Sequence, residues 1–216
     1  MMAAALSARL MTIAEQIKGG AVADIGTDHA LLPVFLLRAG RASHALACDI
    51  AAGPLRSARR TVRAAGLEDH IDIIQYDGIP PQALACDTVV IAGMGGELIG
   101  RIVAQAGQIK RLLLQPMTRE RALREALIAA GYRINAEWQA KEGRRIYTVI
   151  EALPGADAPF GDGEWEVGRA RDDALWREKA EAEIARLIKC ARGKEKAGEN
   201  ADAERKTADE IGRMLR

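Results

Sequence analysis

Several residue types are scarce in this chain of 216 residues, and each scarcity narrows the kind of protein that it can be. Aromatic residues make up only 4% of the sequence although 49% of it is hydrophobic, which predicts a core of aliphatic and alanine side chains. No apolar run approaches the ~20 residues that a membrane-spanning helix needs. The formal net charge of +1 favours neither an acidic nor a basic partner.

Cysteine and histidine are equally sparse. Cys48, Cys86 and Cys190 are widely spaced and form no C-x-x-C pair, so we expect reduced thiols rather than disulfides or metal ligands. No histidine, cysteine or carboxylate cluster has the spacing of a metal site. The first six residues lack the basic lead and long apolar stretch of a secretory signal. We therefore expect a cytoplasmic protein with no metal centre.

Strand and helix signals alternate along the first two thirds of the chain, which is typical of a mostly parallel sheet with helices on both faces. The last two strands flank Lys141-Glu142-Gly143-Arg144 and form a hairpin. We therefore predict an α/β fold, namely the class I methyltransferase type of Rossmann-like sheet ending in an antiparallel hairpin. A dinucleotide dehydrogenase would continue with another crossover helix. The predicted strands are 21–25, 45–49, 71–76, 87–92, 112–115, 134–140 and 145–152.

The composition changes after the last predicted strand. We predict a domain over residues 1–153, a linker rich in proline and glycine over 154–163, and a helical C-terminal region over 164–216. An apolar stripe that starts at Trp176 indicates a helix from 164 to 192, followed by a break at 193–198 and a second helix from 201. These helices would form a coiled-coil-like appendage. The alternative is a solvated amphipathic tail.

The ends of the first two strands carry the pattern of a nucleoside site. Asp24-x-Gly26 follows the first strand, and Asp49 ends the second. A glycine at that turn lets the backbone approach a ligand, and the second acid can accept hydrogen bonds from two ribose hydroxyls. The alternative is an ordinary turn between a strand and a helix.

The residue at position 28 indicates which nucleoside-containing ligand the site would bind. A dinucleotide site needs G-x-G-x-x-G, because a pyrophosphate lies on the helix N-terminus. This chain has Gly26 but places Asp28 where the second glycine would stand. A carboxylate there repels a pyrophosphate and attracts a sulfonium or an ammonium group. The pattern therefore favours S-adenosylmethionine.

The next two strands end in residues that complete such a site. Asp77 could accept a hydrogen bond from the adenine amine while the Gly78 N–H donates to a ring nitrogen, although Asp-Gly is also a common turn pair. Gly93, Met94 and Gly95 follow the fourth strand, and glycines at such a position indicate close backbone approach. This loop would border the methyl group.

Two further polar residues are candidates for contact with the substrate. Gln115 ends the fifth strand and offers both a donor and an acceptor. His29 lies beside Asp28 at the entrance of the next helix. A polar strand end and a structural histidine are the alternatives. No nucleophile lies beside a matching base.

Arginines form three clusters that could bind phosphates through paired hydrogen bonds. Such clusters are equally often a solvated face of a helix. They comprise Arg56, Arg59, Arg60 and Arg63; Arg119, Arg121 and Arg124; and Arg144 with Arg145.

Taken together, seven motifs resemble those of the bacterial tRNA adenine-N1 methyltransferases that act on adenine 22. The resemblance covers residues 6–152, and the helical tail is similar to the C-terminal coiled coil of that family. One departure is Met117, which stands where the family pattern has an asparagine. The motifs are Leu-Ser-x-Arg-Leu at 6–10, Ala-Asp-Ile-Gly-Thr-Asp-His-Ala at 23–30, Leu-Pro at 32–33, Asp-Gly at 77–78, Ile-Ala-Gly-Met-Gly-Gly at 91–96, Leu-Gln-Pro at 114–116 and Ile-Tyr at 146–147.

The resemblance implies S-adenosylmethionine as methyl donor and tRNA as partner, and we expect a monomer. Another class I methyltransferase acting on a protein or small molecule, and a non-catalytic nucleoside- or RNA-binding module, remain as alternatives. By resemblance, Asp24, Gly26 and Asp28 surround the methionine end, Asp49 the ribose and Asp77 the adenine, while Gly93, Met94 and Gly95 line the reaction centre.

Overall fold

The computed structural model describes residues 6–216, so the predicted lack of a secretory signal concerns residues that lie mostly outside the described part. The chain divides into two compact units, of which the first ends at Asp157 and the second is Ala158–Arg216. This division falls inside the predicted linker, four residues beyond the predicted end of the first domain at residue 153.

The first unit is built on one seven-stranded sheet with the order β3-β2-β1-β4-β5-β7-β6. Strands β1 to β5 pair in parallel, and β7 pairs antiparallel with both β5 and β6. The predicted α/β sheet with a terminal hairpin is thereby confirmed. The strands are β1 Ala21–Ile25, β2 His44–Asp49, β3 Ile71–Gln75, β4 Thr88–Gly95, β5 Leu112–Thr118, β6 Tyr132–Glu142 and β7 Arg145–Pro154.

Five helices cover the sheet, and a 3-10 turn at Pro81–Ala85 precedes β4. Aliphatic and alanine side chains of α1, α2 and α3 pack on one face of the strands, as the low aromatic content predicts. Helices α4 and α5 pack so closely that a Cβ at Gly100 would lie 2.7 Å from the Cβ of Ala126. The helices are α1 Ala8–Glu15, α2 Leu31–Arg38, α3 Ala52–Ala65, α4 Gly96–Gln105 and α5 Glu120–Ala129.

Two element boundaries near the nucleoside motifs differ from the prediction. Helix α2 begins at Leu31 rather than His29, because Ala30 precedes it in the left-handed region with a φ of 53°. Strand β4 continues to Gly95 rather than ending at 92. Gly93 has a φ of 81°, and its positive φ allows a bulge that shifts the register between Ala92 and Met94. The predicted glycine loop is thus a bulged strand end.

The second unit contains α6 Asp162–Val167, α7 Ala174–Lys196 and α8 Asp202–Met214. The prediction of one helix from 164 to 192 is wrong, because Gly168 has a φ of 78° and ends α6. The predicted break at 193 is also wrong, since α7 runs through Gly193 to Lys196. One glycine inside a helix costs only about 1 kcal/mol, which the packing of α7 against α8 can offset.

Helices α7 and α8 pack antiparallel. The guanidinium of Arg177 near the start of α7 donates to the carbonyl of Leu215 (2.9 Å), and Arg205 near the start of α8 pairs with Glu195 (2.7 Å). Trp176 is buried between them, and its indole N–H donates to the Val167 carbonyl. The region is therefore a packed helical unit rather than a solvated tail.

Candidate active site

The predicted site residues lie at the carboxyl ends of the parallel strands. The chain passes from β1 outward to β2 and β3, then returns to the other side of β1 as β4. The reversal between β1 and β4 opens a crevice at this edge, the usual ligand position in such sheets.

Asp24, at the end of β1, is only 8% exposed. Its carboxylate receives a hydrogen bond from the hydroxyl of Thr27, which in turn accepts one from the Ala30 N–H (3.2 Å). Burial raises the pKa of Asp24 to about 6, a rise that the Thr27 hydroxyl reduces and the neighbouring Asp49 charge increases. The register of β1 with β2, in which Ile25 lies opposite Cys48, places Asp24 and Asp49 at adjacent strand ends. Thr27 was missed by the sequence analysis.

Gly26 forms the turn between β1 and α2. Its φ is 79°, and its N–H and that of Thr27 both donate to the Cys48 carbonyl, at 2.8 and 2.9 Å. A Cβ added to Gly26 would collide with the Cε of Met94, so the Met94 side chain packs directly against this turn. Only a glycine at position 26 combines the left-handed backbone with this close approach of Met94.

Asp49 ends β2, and its carboxylate accepts a hydrogen bond from the Ala51 N–H at 2.7 Å. The remaining lone pairs face a partly exposed surface. Two large apolar side chains stand beside it in solvent, since Ile50 is 59% and Tyr76 44% exposed. The Tyr76 N–H donates to the Asp49 carbonyl (3.1 Å), which holds the two strand ends together. These exposed apolar residues were missed, although their position directly after two strand ends was a usable signal.

Asp77 and Gly78 follow β3 at the same edge. Asp77 is exposed, and Gly78 has a φ of 91°. The Cys48 thiol lies 3.7 Å from the Tyr76 carbonyl and 3.8 Å from that of Gly78, so this loop folds back over the end of β2. The structure thus places Asp24, Asp49 and Asp77 at three neighbouring strand ends.

Asp28 and His29 lie on the outer lip of the crevice. Their side chains approach to 3.3 Å and are well exposed. Both residues precede the first turn of α2 and are therefore held by a loop. They are accessible to a ligand, and their predicted roles stay predictions.

Gln115 lies deeper than expected. It is fully buried, and its Oε1 accepts hydrogen bonds from the Gly93 N–H (3.2 Å) and from the Arg9 guanidinium (3.0 Å). Its amide nitrogen donates to the Pro116 carbonyl (2.7 Å) and lies 3.7 Å from the sulfur of Met117. Since both ends of this side chain are occupied, Gln115 holds the bulge at Gly93 and can serve catalysis through that bulge.

Arg9 connects this network to the hairpin, and it was missed as a site residue. Its backbone N–H donates to Glu142 at 3.0 Å, and its Nε lies 3.5 Å from the same carboxylate. Burial opposes ionisation of Glu142, but the hydrogen bonds from the Arg9 N–H and the Ser7 hydroxyl, together with the Arg9 charge, outweigh it and hold the pKa of Glu142 below its usual value. A Cβ at Gly93 would lie 3.3 Å from the Arg9 guanidinium, so Arg9 backs the bulge directly.

Within residues 6–216, no group of three or more histidine, cysteine or carboxylate side chains is placed to bind a metal ion. The three cysteines are free, and burial raises the pKa of Cys48 to about 11. In the same part of the chain, no helix combines the length and the apolar character that crossing a bilayer requires.

Comparison with known proteins agrees with this geometry. Residues 6–150 match the methyltransferase domain family. The tRNA (adenine(22)-N(1))-methyltransferase of Bacillus subtilis (strain 168) is 40% identical over 182 residues, which cover 81% of this chain and 76% of that protein. The M. capricolum TrmK structure with S-adenosyl-homocysteine superposes with a TM-score of 0.82 at 28% identity, covering 98% of this chain and 99% of that one.

A third relative is a candidate tRNA (m1A22) methyltransferase of Streptococcus pneumoniae, solved with S-adenosyl-L-methionine. Its TM-score is 0.85 at 26% identity, covering 98% of this chain and all of that chain. The sheet order, the terminal hairpin and the crevice define a class I methyltransferase that uses S-adenosylmethionine. Within this class, the chain belongs to the family of tRNA (adenine-N1)-methyltransferases.

Proposed function

We propose that this protein transfers a methyl group from S-adenosylmethionine to N1 of an adenine in tRNA, the adenine at position 22. The observation that carries the proposal is that Asp24, Asp49 and Asp77 lie at or just beyond the carboxyl ends of the neighbouring parallel strands β1, β2 and β3, and that the turn at Gly26 contacts Met94 of the β4 bulge. The similar protein from B. subtilis is named tRNA (adenine(22)-N(1))-methyltransferase, which is this activity.

Four carboxylates of the site suit three parts of the cofactor. Asp24 and Asp28 provide negative charge for its cationic methionine end, and the absence of a side chain at Gly26 lets the ligand approach the backbone once the Met94 side chain moves aside. Asp49 keeps lone pairs free for the ribose hydroxyls after bonding to Ala51. Asp77 and the Gly78 N–H serve the edge of the adenine ring.

Ile50 and Tyr76 can supply apolar contact with the cofactor adenine, which carboxylates cannot. Both side chains are exposed. Ile50 directly follows Asp49, which we assign to the ribose, and Tyr76 directly precedes Asp77, which we assign to the adenine. A purine ring placed between them would cover apolar surface at about 25 cal/mol per Å². We therefore assign them to the two sides of the cofactor adenine.

The reaction needs alignment rather than a strong base. When bound, S-adenosylmethionine supplies an electrophilic methyl group, which the in-plane lone pair of adenine N1 attacks while the sulfur keeps the bonding electrons. The protein therefore has to orient the base, exclude water and stabilise the positive charge that develops on adenine. We assign this charge stabilisation to the backbone carbonyls of Gly93, Met94 and Gly95 at the bulged end of β4, and we assign contact with the tRNA to the exposed His29.

Gln115 and Arg9 fix the geometry of that bulge. Because Gly93 has a positive φ and lies at the surface, its position depends on the hydrogen bond from its N–H to Gln115. Arg9 in turn holds the Gln115 side chain in one orientation. We therefore describe both as positioning residues. A bulge that moves by 1 Å can cost about 100-fold in rate.

We also propose a cytoplasmic location, which a tRNA substrate supports, and a monomer remains our expectation.

The test is methylation of unmodified tRNA transcripts by the purified chain with labelled S-adenosylmethionine. We expect 1-methyladenosine at position 22, detected by nucleoside mass spectrometry and mapped by primer extension, and no product on a transcript with guanine at that position. Methylation at another nucleotide would change the substrate assignment. Label in a protein or metabolite fraction would favour another class I methyltransferase, and cofactor binding without turnover would favour a binding module.

A further inference from the structure

Two arginine-rich helices of the first unit use their charges differently. On α5 and in the residue before it, each arginine has an acidic partner: Arg119 with Glu97 (3.7 Å), Arg121 with Glu125 (2.8 Å), and Arg124 with Glu137 (2.8 Å). Arg124 is fully buried. In the second predicted arginine cluster, Arg124 is therefore unavailable to a ligand, Arg121 is paired at the surface, and Arg119 has a long, exposed contact.

The arginines of α3 have fewer and weaker contacts with acidic side chains. The buried side of the helix, formed by Leu55, Ala58 and Val62, packs toward the sheet, and the arginines project from its exposed side. Among residues 6–216, Arg56 and Arg59 have no acidic partner within 4 Å. Arg60 donates to the Ser57 hydroxyl (3.2 Å), and Arg63 reaches Glu68 only at 3.8 Å on an exposed surface.

The four side chains also share one concave surface. Arg56, Arg59, Arg60 and Arg63 line a depression of about 400 Å³ that no carboxylate enters. Like charges that converge without a counterion repel one another, and a concave arrangement concentrates their positive potential. This potential is lowered when an anion binds, and guanidinium groups prefer anions that accept paired hydrogen bonds, such as phosphates.

The depression starts beside the active site. Helix α3 begins at Ala52, three residues after Asp49. The guanidinium of Arg56 folds back toward this end of the helix, since its Nη2 lies 3.9 Å from the position of a Cβ at Gly53. From Arg56 to Arg63 the row extends about 10 Å along the helix. An extended polyanion that enters the crevice would therefore lie along it.

We propose that this depression, the α3 arginine surface, binds backbone phosphates of the RNA whose adenine is methylated. The inference rests on the proposed function, because the location beside the crevice is what distinguishes an RNA backbone from a free anion. It assigns binding to α3 rather than to α5, on which Arg124 is buried and Arg121 has a close acidic partner.

The test compares the wild-type protein with the triple variant R56Q/R59Q/R60Q in tRNA binding. Removal of three phosphate contacts should weaken the tRNA Kd about tenfold or more at 0.1 M salt and lower the slope of log K against log salt by about 3. The tRNA KM should rise in parallel. The S-adenosylmethionine Kd and the kcat at saturating tRNA should stay within twofold of the wild type. The melting temperature should stay within a few degrees.

The matched control is K18Q/K110Q/R121Q, which removes the same charge from exposed positions. Lys18 and Lys110 precede parallel strands and so lie at the opposite edge of the sheet, and Arg121 has its own acidic partner. This control should keep the tRNA Kd within about threefold. Equal losses in both variants would assign the effect to net charge and overturn the proposal, as would an unchanged salt slope in the α3 variant.

Two further measurements separate the outcomes. Inorganic phosphate or triphosphate should compete with tRNA only weakly, and strong competition would indicate a free-anion site. Failure of the wild type to methylate tRNA would overturn the proposed function, whereas the binding and salt measurements judge the α3 arginine surface without needing turnover.

Discussion

The two halves of the crevice are built on different principles. The half formed by β1, β2 and β3 presents carboxylates whose supports are local: Asp24 is held by Thr27, and Asp49 by Ala51. The half formed by β4 and β5 lines the crevice with backbone atoms. The residues that hold this backbone in place are distant in the sequence. Arg9 and Gln115 are 106 residues apart in the sequence but meet behind Gly93.

We infer from this difference that the first half binds the cofactor and that the second half aligns the reacting groups. A carboxylate at the end of a buried strand keeps its place because the strand itself is fixed by its neighbours. A glycine bulge with a positive φ has no such rigidity of its own, so buried hydrogen bonds must hold it. We therefore expect substitutions in the first half to change cofactor affinity, and substitutions in the second half to change turnover.

The largest effect is expected for Asp49→Ala. Loss of hydrogen bonds from two ribose hydroxyls to a charged acceptor should raise the S-adenosylmethionine Kd roughly 100-fold, measured by calorimetry. Stability should fall by less than about 1 kcal/mol, because Asp49 is partly exposed and one bond to the Ala51 N–H is lost.

Asp72→Ala is the matched control, because Asp72 is an exposed carboxylate on neighbouring β3 and pairs only with His44 in the described part of the chain. It should leave the Kd within twofold. An Asp49→Ala protein that still binds the cofactor normally would remove the basis for placing the ribose at β2.

A smaller and different effect is expected for Gln115→Leu in the second half. The Gly93 N–H and the Arg9 guanidinium lose their shared acceptor, so the free energy of unfolding should drop by about 1–3 kcal/mol. The bulge should shift, and kcat should fall about tenfold. The cofactor Kd should change less than twofold, which distinguishes this variant from Asp49→Ala.

Gln139→Leu serves as the control, because both polar atoms of this buried glutamine lack a hydrogen-bond partner among the described residues. Its substitution should be neutral or stabilising. If Gln115→Leu weakened cofactor binding as much as it slowed turnover, the division of labour between the halves would be wrong. Arg9→Lys should lie between Gln115→Leu and the wild type, since a lysine can reach Gln115 but lacks the planar fork.

The first half was predictable from the sequence. Strands with short apolar runs and a single parallel sheet bring successive strand ends to one edge, so Asp24, Asp49 and Asp77 had to lie near one another. The second half was not predictable in the same way. Gln115 could be identified as a strand end, but its burial depends on Arg9, and no local pattern connects these two positions.

The arginines and glycines show the same limit. Arg56 and Arg124 look alike in sequence, yet only the second finds a buried partner, Glu137, because α5 happens to pack on β6. Gly168 and Gly193 are both flanked by helix formers, yet only Gly168 takes a positive φ. In each case the outcome depends on neighbours brought together by the fold rather than on adjacent residues.

The smallest expected effect is the pH dependence of cofactor binding through Asp24, which tests the first half in isolation. Its pKa is raised to about 6 by burial, above the value of about 3.9 in an unfolded chain. The folded protein therefore binds this proton more tightly, so ionised Asp24 lowers stability, and the loss develops as pH rises from about 4 through 6. A cationic ligand favours the ionised form and should recover part of that loss.

Binding of S-adenosylmethionine should consequently weaken as pH falls through about 6, with a Kd about fourfold higher at pH 5.5 than at pH 7.5. Calorimetry in buffers of different ionisation enthalpy should detect proton release on binding near pH 6. Asp24→Asn should bind more weakly at pH 7.5 and show no such dependence, and without cofactor it should melt at a higher temperature than the wild type. A wild-type Kd that is flat across this range would mean that Asp24 does not face the positive end of the cofactor.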